Sequence, residues 1–92
     1  MKTYVLKINH KIEKAISKWK KSNPRLHRKF IQIVDELANH PRIGIGHPEP
    51  LIGGQDVRWS RHIDAHNRII YDIYDEIVVV EIIQVEGHYQ DK

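Results

Sequence analysis

The chain has no cysteine, which excludes disulfides and thiolate metal sites and suits a reducing cytoplasm, the expected location. Long apolar runs are missing too. The longest, "IVVV", has the length of a strand and falls far short of a membrane span, so no membrane partner is expected. The opening "MKTYVLKINH" lacks the apolar core and small-residue cleavage site of a signal peptide. Repeats, low-complexity tracts and flexible linkers are absent. Glycine and proline are scarce except in one place, since four of five glycines and three of four prolines fall between Pro41 and Gly54.

What is present describes an ordinary globular chain. Hydrophobic residues make up 40% and charged residues 29% of 92 positions, enough for a modest core and one domain, residues 1–92 with a short tail at 90–92. The net charge of +3, with seven histidines besides, permits an RNA, DNA or acidic-protein partner.

"TYVLKI" alternates around Tyr4, Leu6 and Ile8, as a half-buried strand does. Asn9 suits the cap of a helix through "HKIEKAISKWKKS", whose Ile12, Ala15, Ile16 and Trp19 recur at helical spacing. "NP" at 23–24 ends it and starts a second helix, in which Leu26, Phe30, Ile33, Val34 and Leu37 form one stripe before His40-Pro41 closes it. After a loop at 41–56, "VRWSRHI", "RIIYDIY" and "EIVVVEIIQV" have strand character, separated by "DAHN" and "DE". Gaps this short predict hairpins. The expected fold is α+β, in the order β-α-α-β-β-β, with a helical hairpin packed on a four-stranded, mostly antiparallel sheet.

Within the loop, Glu49 stands between Pro48 and Pro50, which bias its backbone toward extended conformations. A carboxylate held so is suited to take a proton from a fixed place. An antiparallel meander would bring the end of the last strand, "GHY" at 87–89, beside Arg68 at the start of the strand before it, with Arg61 two residues before the turn that leads to Arg68. Two arginines, His88 and Tyr89 then converge at one sheet end. Arginine forks match phosphate oxygens, histidine exchanges protons near neutral pH, and tyrosine stacks on bases. Such a set resembles an RNA-cleaving site that uses no metal or other cofactor. His62 and His66 have a metal-ligand spacing, but they flank a predicted turn, and no metal site is expected.

"GIGHPEPL", "WSRHI", "HNRIIY" and "GHYQDK", in that order, resemble the YoeB/Txe family of RelE-like bacterial toxins. The match runs from about Gly44 to Tyr89, and the helical hairpin before it agrees in length and pattern. The resemblance implies a ribosome-dependent endoribonuclease that cuts mRNA in the A site, and a cognate antitoxin that silences it. It implies catalytic roles for Glu49 as general base, Arg68 on the phosphate, His88 as general acid and Tyr89 on a nucleotide. Arg61 is implied as a second phosphate contact, and His62 and Trp59 as neighbouring substrate-binding positions. Free pKa values of roughly 4.3 for Glu and 6.5 for His suit the acid and base roles.

The sequence departs from the family pattern in four places. His62 replaces the second strand arginine, "IGGQDVR" replaces the usual basic and Asn-Leu-Ser/Thr-Gly residues between the loop and the strand, Asn67 replaces a histidine before Arg68, and three residues follow Tyr89. Plain structural readings stand beside the functional ones: Arg61 and Arg68 as ion-pair partners of Asp64, Asp72 or Glu86, and Trp59, Tyr71 and Tyr74 as core or sheet-face aromatics. Lys11, Lys14, Lys18, Lys20 and Lys21 form either a solvated helix face or a contact for rRNA phosphates on the 70S ribosome. Self-association into a homodimer is allowed. Two other functions remain open: a RelE-fold toxin that poisons gyrase without cutting RNA, as ParE does, and a non-catalytic small basic RNA-binding module.

Overall fold

A computed structural model describes residues 3–51 and 57–87. His88, Tyr89 and the 90–92 tail lie outside the described residues, as do Gly53 and Gly54.

Strand β1 (Val5–Ile8) is followed by helices α1 (His10–Ser22) and α2 (Pro24–Leu37), then by β2 (Glu49–Pro50), β3 (Arg58–His62), β4 (Asn67–Tyr74) and β5 (Val79–Gly87). Asparagines set both helix starts. The Asn9 side chain accepts from the Ile12 amide at 2.8 Å, and the Asn23 side chain accepts from the Leu26 amide at 3.2 Å. Asn23 serves twice, because its own amide donates to the Trp19 carbonyl at 2.8 Å and so closes α1. Pro24, with no amide to leave unsatisfied, takes the first position of α2. Leu26, Phe30, Ile33 and Leu37 of α2 and Ile12 and Ile16 of α1 are buried. Ala15, expected on the same face, is exposed. Trp19 meets Phe30 edge to face, with centroids 6.2 Å apart.

The helices cover one face of a mixed sheet in the order β1-β5-β4-β3-β2. Val5 to Ile8 pair with Val79 to Ile82 in parallel, and the remaining ladders are antiparallel. The expected α+β order holds, with one addition. Glu49 and Pro50, placed by sequence in a loop, pair with Ser60 and Trp59 and make a fifth strand at the sheet edge. Proline is tolerated there because an edge strand leaves one row of its groups unpaired in any case.

One boundary also moves. The β4–β5 turn takes four residues, 75–78, rather than the two of "DE". Val78 has φ 56°, outside the strand region, so the apolar run "IVVV" does not continue as a strand through it. Asp75 anchors this turn: it accepts from the Tyr4 hydroxyl and pairs with Arg42 at 2.8 Å. The Tyr4 hydroxyl is held above its ordinary pKa, first by that hydrogen bond to Asp75.

Candidate active site

The candidate site is built on the alternation of β3. Trp59, Arg61 and Ile63 point into the core with Ile69, Tyr71 and Ile73, whereas Arg58, Ser60 and His62, one position out of step, face away from the helices. On this open face the pairing continues across strands. Glu49 lies opposite Ser60, Ser60 opposite Ile70, and Ile70 opposite Gln84. The adjacent row runs from His62 to Arg68 and on to position 86.

Glu49 and Arg68 therefore share one face, two strands apart and one row apart. Strand spacing of roughly 4.8 Å and a same-face repeat of about 7 Å leave space between them for a substrate group. Glu49 is exposed and Arg68 half-buried. Gly87 pairs with Asn67, the residue before Arg68, so the described end of β5 lies at the expected corner. His62 is exposed on the same face, opposite Arg68. In the first row, beside Glu49, the Ser60 hydroxyl is buried without a hydrogen-bond partner among the described residues.

Two residues assigned to substrate have other positions. Arg61 is 0% exposed, and its guanidinium is fully engaged. It pairs with Glu36 and donates to the carbonyls of His40, Ile43 and Ile45 and to the Tyr71 hydroxyl. No donor is left for a phosphate, so Arg61 is not a substrate contact. Trp59, 9% exposed, belongs to the core cluster, where the Arg42 guanidinium lies over its ring at 6.0 Å; it is not on the open face with Glu49 and Arg68. Asp72, offered as a partner for Arg61 or Arg68, pairs with Arg58 instead at 2.8 Å. The hydrogen bonds and charge of Asp72 raise the pKa of Arg58.

Arg61 ties down the segment that leads to Glu49. Glu36 accepts from the Ile45 amide at 2.9 Å, and the Tyr71 hydroxyl donates to the Pro41 carbonyl at 2.8 Å. Burial pushes the Tyr71 hydroxyl above its ordinary pKa, although Arg61 opposes the shift. Two glycines permit the closeness. Gly44 has φ 129°, and a Cβ there would lie 1.7 Å from a Glu36 carboxylate oxygen; Gly46 has φ 85°, and a Cβ there would lie 2.5 Å from the His62 carbonyl. Instead Gly46 accepts from the His62 amide at 2.7 Å, which docks the loop on β3 just before Glu49.

Sequence alone does not mark Glu36 and Tyr71 as loop anchors. A signal existed for Arg61: its parity with Trp59 and Ile63 places it inward. Glu36, next to the buried stripe of α2, is its nearest counterpart in character, but no local spacing joins residues from a helix and a strand. His62 and His66 gain no third ligand, and no group of three His, Cys, Asp or Glu able to hold a metal occurs among the described residues. No helix among the described residues is long and apolar enough to cross a membrane.

Comparison with known proteins bears on what this geometry is for. The family model of the YoeB-like toxins of bacterial type II toxin–antitoxin systems matches residues 4–89. The toxin YoeB of Streptomyces coelicolor is 34% identical over 71 residues, which is 77% of this chain and 82% of the relative. Among solved structures, the YoeB/ParE toxin from Agrobacterium tumefaciens superposes with a TM-score of 0.79 at 28% identity, covering 92% of this chain and 99% of that one. The YoeB–YefM toxin–antitoxin heterotetramer from Staphylococcus aureus gives 0.75 at 20% identity, covering 94% and 98%. The helical hairpin on one sheet face, with an acid and a cation on the other, thus has the RelE-like toxin fold. Within that class the chain belongs to the YoeB-like toxins of bacterial type II toxin–antitoxin systems.

Proposed function

We propose that this toxin is a ribosome-associated endoribonuclease that cleaves mRNA in the A site and so inhibits translation. The observation that carries the reading is the shared open face of Glu49 and Arg68, with β5 ending beside Arg68. Glu49 removes the proton of a ribose 2′-OH, and the oxygen attacks the adjacent phosphate. Arg68 stabilises the charge that gathers on the phosphoryl oxygens. His88 gives a proton to the departing 5′ oxygen, and Tyr89 orients a nucleotide. The products are a 2′,3′-cyclic phosphate and a 5′-hydroxyl end, so every proton and bond is accounted for with no metal or other cofactor taking part.

His62 lies where a substrate phosphate beside Arg68 would meet it. Arg61 acts at one remove, by fixing the loop that carries Glu49. The exposed lysines of α1, at positions 11, 14, 18, 20 and 21, would meet rRNA phosphates, a contact weakened by salt. A cognate antitoxin is the expected protein partner, as YefM is for the S. aureus relative, and association into a homodimer is compatible with the same fold.

The test is in vitro translation with mapped mRNA 5′ ends, comparing the wild type with Glu49→Gln, Arg68→Ala and His88→Ala. Removing the base or the acid is expected to slow cleavage by about 10²–10⁴-fold, and removing Arg68 by roughly 10²–10³-fold. Intact message with the wild type, or undiminished cleavage by Glu49→Gln, would overturn the proposal.

A further inference from the structure

Beside the open face, between the N-terminal half of α2 and the β3–β4 turn, lie two adjoining clefts. One, of about 410 Å³, is lined by Lys29, Gly46, His47, His62, Ile63 and the turn residues Asp64 and Ala65. The other, of about 550 Å³, continues past Lys29, Ile63 and Asp64 to Asn23, Arg25 and Leu26. Lys29, Ile63 and Asp64 are common to both. The two therefore form one groove, which runs from His62 down to the turn between the helices. It begins at the candidate site, because His62 is the cross-strand partner of Arg68.

The groove is cationic. Arg25 and Lys29 are four residues apart and stand on one face of α2. No ion pair holds Arg25, Lys29, His47 or His62 among the described residues. The single acid, Asp64, is occupied with its own turn: one carboxylate oxygen accepts from the amides of His66 and Asn67, each at 2.8 Å, and from the Asn67 side chain at 3.0 Å. Burial raises the pKa of that carboxyl, but these bonds outweigh it and hold the group below its ordinary value.

The upper rim is also held in shape. His47 keeps φ 51°, a conformation costing on the order of 1 kcal/mol for a residue with a Cβ, and Gly46 beside it is bonded to β3. Backbone fixed this way is common where a ligand must be met.

We propose that this groove binds the sugar–phosphate backbone of single-stranded RNA flanking the cleaved bond, with Arg25 and Lys29 each meeting a phosphate. The inference rests on the nuclease reading for its direction, since it places the flanking strand on the His62 side of the site. Charge complementarity and continuity with the candidate site favour RNA over an acidic peptide, the other ligand such a surface attracts.

The test is fluorescence anisotropy of the full chain with a 2′-O-methylated, hence uncleavable, single-stranded oligoribonucleotide across a salt series. Wild type, Arg25→Gln/Lys29→Gln and a control, Lys7→Gln on β1, which lies outside both the groove and the basic face of α1, are compared. The groove variant is expected to flatten the slope of log K against log salt by about 1.4, or 0.7 for each lost phosphate contact. A slope unchanged in the groove variant, or changed equally in the control, would overturn the proposal. So would an unchanged RNA slope together with lost binding of a poly-glutamate peptide, which would assign the surface to protein. Cleavage in the translation assay is read separately: RNA binding in the groove without message cleavage would sink the nuclease reading alone, and cleavage with no groove effect would sink this proposal alone.

Discussion

A buried arginine must satisfy five N–H donors without water. Arg61 does so with one carboxylate, three carbonyls and one hydroxyl. The carbonyls of His40, Ile43 and Ile45 belong to a loop that has no helix or strand to use them, so the side chain takes the place of a backbone ladder. Arg61→Met leaves Glu36 without its cation and three carbonyls without a donor, and is expected to lower stability by about 3–5 kcal/mol in urea titration. Arg61→Lys is expected to rescue little, because an ammonium lacks the planar fork. Tyr71 gives a pH signature. Its folded pKa is raised, chiefly by burial, so its contribution is full below the unfolded value of roughly 10 and is lost as pH rises through the folded one. Tyr71→Phe should therefore show a smaller loss of stability above pH ~10 than the wild type, measured by urea midpoints over an alkaline series.

Elements differ in how far the sequence disclosed them. Both helices were legible because their caps are local: Asn9 and Asn23 each reach an amide three residues on. Asn23→Ala removes a side-chain acceptor from the start of α2 and is expected to cost about 0.5–2 kcal/mol, read as a lower thermal midpoint. Strand β2 was not legible. Pro48, Glu49 and Pro50 have the composition of a loop, and only pairing with β3 makes Glu49–Pro50 a strand. The start of β5 was misplaced for the converse reason: Ile77 and Val78 have strand character, but a tight turn anchored by Asp75 takes them first. For the site, the corner of Arg68 followed from counting along hairpins. The inward turn of Arg61 followed equally from counting, yet its charge argued for the surface, and its partner Glu36 is remote in sequence.

At the scale of the whole molecule the two sheet faces divide the labour. The helix side holds the core together with the buried Arg61–Glu36 pair, which fixes the entry to β2. The other side carries Glu49, His62, Arg58 and Arg68 on strands rather than on free loops, which suits a site that must hold its geometry. The order of the strands has a consequence in time. Strand β1, made early, lies beside β5, made late, and Val5 finds its partner only when Val79 exists. Contacts so distant in sequence form late, and synthesis proceeds from the N-terminus. The sheet cannot close until β5 has been made. The domain thus stays incomplete through most of its own synthesis, and a chain stopped short of Val79 has nothing with which to hold its first strand.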